Sequence, residues 1–196
     1  MEIQINNLTI QYENKTVLKN FSEYISAGEH IALTGSSGIG KTSFINAVMK
    51  LINYDGEIII PNNTYFSTVF QENRLFEGLS VYKNIRMTAS DHSADNIKQH
   101  ITLAGLKPEA VVNTLSGGMK RRVAILRAIL APFDILILDE PFKGLDADTK
   151  LVMMNMVKEK ISGKTMLLVT HDPSETLFFN SRIIDFSSFD FFDEKE

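Results

Sequence analysis

Cysteine is absent from the 196-residue chain, which excludes a disulfide framework, a thiolate metal site and a nucleophilic thiol. Excess positive charge is absent too. With 20 Lys and Arg against 24 Asp and Glu, the formal net charge is -4, so no overall field draws nucleic acid or anionic lipid to the protein, and no nucleic-acid partner is expected. No apolar run approaches the roughly 18 to 20 residues needed to cross a bilayer. The amino terminus, "MEIQINNLTIQYENK", carries an acid and alternating apolar positions where a secretory signal needs basic residues and then an apolar block. These absences predict a cytoplasmic protein that reaches a membrane only through a partner.

What is present is a core. A hydrophobic content of 44% over this length suits one well-formed domain with an added lobe. Apolar residues at Ile3, Ile5, Leu8, Ile10 and Tyr12 read as half-buried strands interrupted near Asn6 and Asn7. "FSEYISAGEHIALTG" reads as a further strand pair turning at Ala27, Gly28 and Glu29. Three short apolar runs at 31–34, 135–138 and 166–170 have the texture of strands covered on both faces. Helical patterns at 42–52, 117–130 and 149–161 separate them, an order that predicts a mainly parallel sheet with crossover helices. Between 71 and 115 the chain is more polar, with a helix expected after Ser93 and ending near Gly105 or Pro108. The fold class expected is α/β: a mainly parallel core sheet, an amino-terminal antiparallel β subdomain and an inserted helical subdomain at roughly 72–131, in a single domain spanning 1–196. The acid- and Phe-rich tail "DFSSFDFFDEKE" is expected to dock and then fray.

The stretch "GSSGIGKT" at 35–42 has two glycines flanking four residues, then Lys and Thr, between an expected strand and an expected helix. That is the P-loop pattern. Glycine is needed because backbone N–H groups must converge on phosphate oxygens. The cradle runs through Gly35, Ser36, Ser37, Gly38, Ile39 and Gly40. Lys41 then reaches the terminal phosphates and the Thr42 hydroxyl a magnesium ion, with Ser43 following. By itself a P-loop does not separate kinases, GTPases and motor ATPases.

"ILILDEP" ends an apolar strand in Asp139 and Glu140, at the sheet edge where open α/β folds bind ligands. Asp139 suits Mg²⁺, and Glu140, on the opposite side of the strand, is free to polarise a water. In "LSGGMKRR", Ser116, Gly117 and Gly118 stand at a helix amino terminus, whose partial positive charge favours an anion. His171 follows "MLLVT" and belongs to the same edge.

Residues 115–119, Leu-Ser-Gly-Gly-Met, resemble the LSGGQ signature of ATP-binding cassette proteins, with Met119 where Gln is commonest. Further matches follow the family order. Tyr12 resembles the aromatic residue that stacks on adenine, Gln71 the Q-loop glutamine that serves metal and catalysis, and Asp139 with Glu140 the Walker B pair. "GLD" at 144–146 resembles the D-loop and His171 the switch histidine. The resemblance implies a P-loop NTPase fold and hydrolysis of ATP with Mg²⁺. It also implies a head-to-tail pair of chains in which one signature covers the ATP of the other, and a transmembrane permease that holds the subunit on the inner membrane face.

"VFQENRLFEGLSVYKNI" resembles the Q-loop region of importer ATPases of the nitrate, sulfonate and taurine group, although Asn73 stands where proline is usual. Import of a small solute is therefore expected, with an exporter or a non-transport cassette as the alternative. Leu75, Phe76 and Leu79 in this segment are the expected permease contact. A small-molecule kinase has no use for the signature, and a pure nucleotide-binding module none for Glu140 and His171.

Overall fold

The computed structural model describes residues 1–12 and 15–188; the carboxyl-terminal part of the tail, 189–196, lies outside them. Among the described residues, eight strands form two sheets. The smaller is antiparallel, in the order β2 (Lys15–Ile25), β1 (Ile3–Tyr12), β4 (Asp55–Ile59). The larger is parallel, in the order β5 (Phe66–Val69), β6 (Ile135–Asp139), β7 (Thr165–Val169), β3 (His30–Thr34), β8 (Arg182–Asp185).

The interruption expected near Asn6 and Asn7 is a bulge inside one continuous strand. Asn7 adopts a left-handed φ of 49°, and the pairing with β2 shifts between Ile5 and Leu8. That extra residue keeps Ile3 and Ile5, then Leu8 and Ile10, all on the buried face. The strand pair expected across Gly28 is not a hairpin. β2 stays in the antiparallel sheet while β3 enters the parallel one, because β3 is apolar on both faces and needs cover on both sides.

Period-two alternation splits the core in two. From β6 and β7, Ile135, Ile137, Leu167 and Val169 face a cluster formed with β1, β2 and the helix α1 (Lys41–Val48). Leu136, Leu138, Met166 and Leu168 face the other cluster. That second cluster includes α2 (Val81–Arg86), α3 (Ala94–Leu103), α4 (Gly117–Ile129) and α5 (Ala147–Lys160). Ser93 caps α3, accepting from the Asn96 N–H at 3.2 Å. The helix ends at Leu103 with Ala104 as its cap, followed by Gly105 in the left-handed region. α1 stops at Val48, short of the expected 52, where Lys50 turns left-handed at φ 57°. Of the tail, Phe186 is buried against Phe21 and Phe44 with ring centroids 5.9 and 5.5 Å away.

Parallel register brings separated residues together. Asp139 pairs with Val169, and Leu33 also pairs with Val169. The loops after β3, β5, β6 and β7 therefore leave one edge, and they carry the P-loop, Gln71, Glu140 and His171.

Candidate nucleotide site

A cleft of about 380 Å³ lies at that edge, lined by residues that include Ser37, Gly38, Lys41, Thr42, Asp139 and His171. Gln71, Glu140 and Ser43 line it as well, as does Val17 from β2. Gly40 must be glycine here. Its φ is 110°, and a Cβ would come within 2.6 Å of Val17 Cγ1 and 3.2 Å of Val17 O. The P-loop turn is thus fitted against a strand of the other sheet.

Lys41 is buried and donates to the carbonyl oxygens of Gly35 at 2.7 Å and Ser36 at 2.8 Å. Burial pulls its pKa down, and the nearby Glu140 and Asp139 charges oppose that shift. The Thr42 hydroxyl donates to Asp139 Oδ2 at 3.0 Å, tying the head of α1 to the end of β6. Burial pushes the Asp139 pKa up, and the Thr42 hydrogen bond pulls against it. Hydroxyl and carboxylate oxygens so placed match the donors Mg²⁺ prefers. It takes one or two carboxylates and leaves its other positions to water and phosphate. Among the described residues no group of three or more acids and histidines offers a fuller cage.

Glu140 is held in an unusual way. Its φ is 46°, a left-handed conformation for a residue with a side chain. Its carboxylate faces His171 Nε2 at 3.3 Å through Oε1 and Lys143 Nζ at 2.6 Å through Oε2. The Lys143 hydrogen bond keeps its pKa below the usual carboxylate range, against the effect of burial. Beyond His171, Asp172 Oδ2 accepts from Lys150 of α5 at 2.6 Å, which holds the Asp172 pKa down to about 2.

The remaining expected residues fall around this centre. Tyr12 is exposed and its hydroxyl meets Ser43 Oγ at 3.4 Å, so its ring stands at the rim. Gly35 and Ser36 line a neighbouring hollow with Thr170 and His171. Ile39 turns its side chain into the core, which leaves only its backbone for an anion. Phe76 is exposed, whereas Leu75 packs on the helical core.

The glycine pair is elsewhere. Ser116 caps α4, accepting from the Met119 N–H at 3.3 Å, yet none of Ser116, Gly117 and Gly118 lines the P-loop cleft. A Cβ on Gly117 would meet nothing within 4 Å.

A buried cation links the two places. Arg121 donates to carbonyl oxygens at the ends of two strands: Phe70 at 2.6 Å and Gln71 at 3.3 Å after β5, and Asp139, Glu140 at 2.7 Å and Pro141 at 2.9 Å at the end of β6. Sequence reasoning missed Arg121, Lys143 and Val17. For Arg121 a signal exists: it lies four and seven residues before Ile125 and Ala128, on the buried face of α4.

The model of the ABC transporter family matches residues 18–143. The chain belongs to the ABC transporter family. Among curated relatives, the spermidine/putrescine import ATP-binding protein PotA of Mesoplasma florum is 34% identical, over 93% of this chain and 58% of its own length. The aliphatic sulfonates import ATP-binding protein SsuB of Bacillus cereus is 33% identical, over 96% of this chain and 82% of its own. The taurine import ATP-binding protein TauB of Roseobacter denitrificans is 33% identical, over 93% and 76%. This ABC chain therefore spans less than two thirds of the polyamine relative. A dimeric ATP-binding cassette solved in a post-hydrolysis state with ADP and phosphate superposes with a TM-score of 0.83 at 27% identity, covering 93% of each chain. The P-loop NTPase fold expected from the sequence is the one observed.

Proposed function

We propose that this chain is the ATP-hydrolysing subunit of an ABC importer. The observation that carries the reading is the convergence of Lys41, Thr42, Asp139, Glu140 and His171 on one cleft, with an open signature outside it. Lys41, now folded onto its own loop, turns to the β- and γ-phosphates, and the backbone of 35–40 cradles them. Thr42 and Asp139, with Gln71, would hold Mg²⁺, which supplies charge neutralisation at the phosphate oxygens when bound. Glu140 orients a water and takes up its proton as the water oxygen attacks the γ-phosphorus. The bond to the β–γ bridging oxygen breaks, and ADP and phosphate leave. His171 hydrogen-bonds the γ-phosphate or the attacking water, and the ring of Tyr12 stacks on adenine.

The open face at Gly117 supports completion of each site by a second copy of the chain, related by a two-fold axis. We take 1–196 as one nucleotide-binding domain with a helical subdomain at roughly 72–131. Its exposed Phe76 is the permease contact, and through it the subunit sits on the inner membrane face. No helix among the described residues is long and apolar enough to cross a membrane. The relatives' names give import of polyamines, sulfonates and taurine, which supports import as the direction and singles out no solute. Phosphate release from Mg²⁺-ATP by the purified chain, alone and assembled with its permease, tests this. Turnover that disappears in Glu140→Gln supports the reading. Binding of ATP without turnover in either preparation contradicts it.

A further inference from the structure

Lys143 has no place in the hydrolysis described so far, yet it makes a 2.6 Å contact with the group assigned as the base. The backbone sets that contact. Glu140 and Lys143 close a turn in which the Lys143 N–H donates to Glu140 O at 3.3 Å. Between them Phe142 is 2% exposed and stacks on Phe179 at 6.0 Å. Arg121 grips the carbonyl oxygens of Glu140 and Pro141 at 2.7 and 2.9 Å. Position 143 is thereby brought back over the Glu140 carboxylate, whatever side chain it bears.

The direction of the pull matters. Lys143 does not line the P-loop cleft. It lines two other hollows, one of about 150 Å³ with Gly117, Arg121 and Glu140 and one of about 650 Å³ with Glu140, Gly144 and His171. Oε2 is thus held by a residue outside the cleft, while Oε1 faces His171 Nε2 at 3.3 Å, so the carboxylate has a side-chain partner at each oxygen and Oε2 is engaged away from a water in the cleft. The lysine end of the pair is 70% exposed, so solvent competes for it and the contact is weak enough to open during turnover.

We propose that Lys143 is a positioning residue that restrains hydrolysis by holding the Glu140 carboxylate in an idle arrangement, from which it must be released before it orients the attacking water. The proposal rests on Glu140 being the base. Each carboxylate oxygen keeps a second lone pair, so the restraint slows turnover and does not abolish it.

The test compares ATP turnover by the full chain, with its permease where hydrolysis needs it, for the wild type, Lys143→Met and Lys143→Arg. Methionine keeps length and removes the charge, and we expect kcat to rise about two- to fivefold, the worth of an exposed ion pair, with KM unchanged. Arginine keeps the charge and stays at the wild-type rate. A kcat for Lys143→Met that is unchanged or lower overturns the proposal. Absence of turnover in the wild type would count against the ATPase reading instead. The pair itself is then decided by the Lys143 side-chain ammonium resonance in ¹H–¹⁵N spectra of the full chain, assigned with Lys143→Arg. A shift in Glu140→Gln supports the restraint, and no shift overturns it.

Discussion

The P-loop edge and the signature helix handle phosphate-binding groups in opposite ways. At the P-loop edge the charged and hydroxyl side chains are paired within the chain: Lys41 on Gly35 and Ser36, Thr42 on Asp139, Glu140 between His171 and Lys143. Gly40 there is required by its own neighbour Val17. At the signature, Ser116 merely caps a helix and Gly117 meets nothing within 4 Å. A glycine is dear at a helix start only if something must approach it closely. On the reading proposed above, the group that approaches Gly117 comes from a second copy, since a Cβ there meets nothing within 4 Å in this chain. One half of the site is therefore built to fold, and the other to be met.

The largest effect expected is on chemistry. Glu140→Gln keeps size and hydrogen-bonding reach but removes the proposed base, and should lower kcat by about 10²- to 10⁴-fold with ATP affinity retained. Single-turnover phosphate release alongside nucleotide binding measures both. A fall in affinity instead would mean that Glu140 belongs to the binding half.

Next comes the residue joining the halves. Arg121→Met removes the guanidinium donor from five strand-end carbonyls, of which Glu140 O keeps the Lys143 N–H, and takes a cation from beside buried Asp139, so it should cost about 3–5 kcal/mol of stability. Chemical denaturation reads it, and a loss under about 1 kcal/mol would mean that α4 and the Glu140 turn are held together some other way.

The glycines sharpen the contrast directly. Gly40→Ala meets Val17 at an unfavourable φ and should cost about 1–3 kcal/mol together with ATP binding. Gly117→Ala should change stability by no more than about 0.5 kcal/mol and still slow turnover. Equal stability losses would erase the distinction between the two regions.

How far this was readable beforehand follows from the same physics. Short-range constraints leave local marks: the P-loop spacing, the acids closing an apolar run, and the Ser93 and Ser116 caps were visible in order. The three central strands were visible because they are apolar on both faces. β4, β5 and β8 were not singled out; they are short, and "DGEII" of β4 buries only Ile58. The separation of β2 from β3 into different sheets is decided by what covers them, which no local pattern records. Arg121 and Lys143 were missed because their partners are backbone carbonyls and a turn geometry, neither written in residue types.

Smaller effects test the rim. Tyr12→Ala should weaken ATP binding by about 1 kcal/mol, roughly fivefold, with kcat unchanged at saturation; isothermal titration would show it. An unaltered affinity would leave Tyr12 a strand residue only.

The smallest concerns the loop that carries His171. The Asp172 pKa is held down to about 2 by Lys150, so its contribution to stability is present above the unfolded value and is lost as pH falls. Because Asp172 is largely solvated, the worth is under about 1 kcal/mol. Asp172→Asn keeps the cap on Ser174 and removes the charge. Its melting temperature should lie below wild type at pH 7 and converge with it between about pH 4 and pH 2. A constant gap across that window would remove the Lys150 pair from the account.

The central claim is that the open signature is completed by a second copy of the chain around ATP. Light scattering of Glu140→Gln measures this most directly. With saturating Mg²⁺-ATP the particle should double in mass. With ADP it should not. Adding Gly117→Arg, at an exposed position where a Cβ meets nothing within 4 Å, should leave the folding transition in place and abolish the doubling. A Glu140→Gln protein that remains single in saturating ATP, even when assembled with its permease, or that doubles regardless of Gly117→Arg, would contradict the claim.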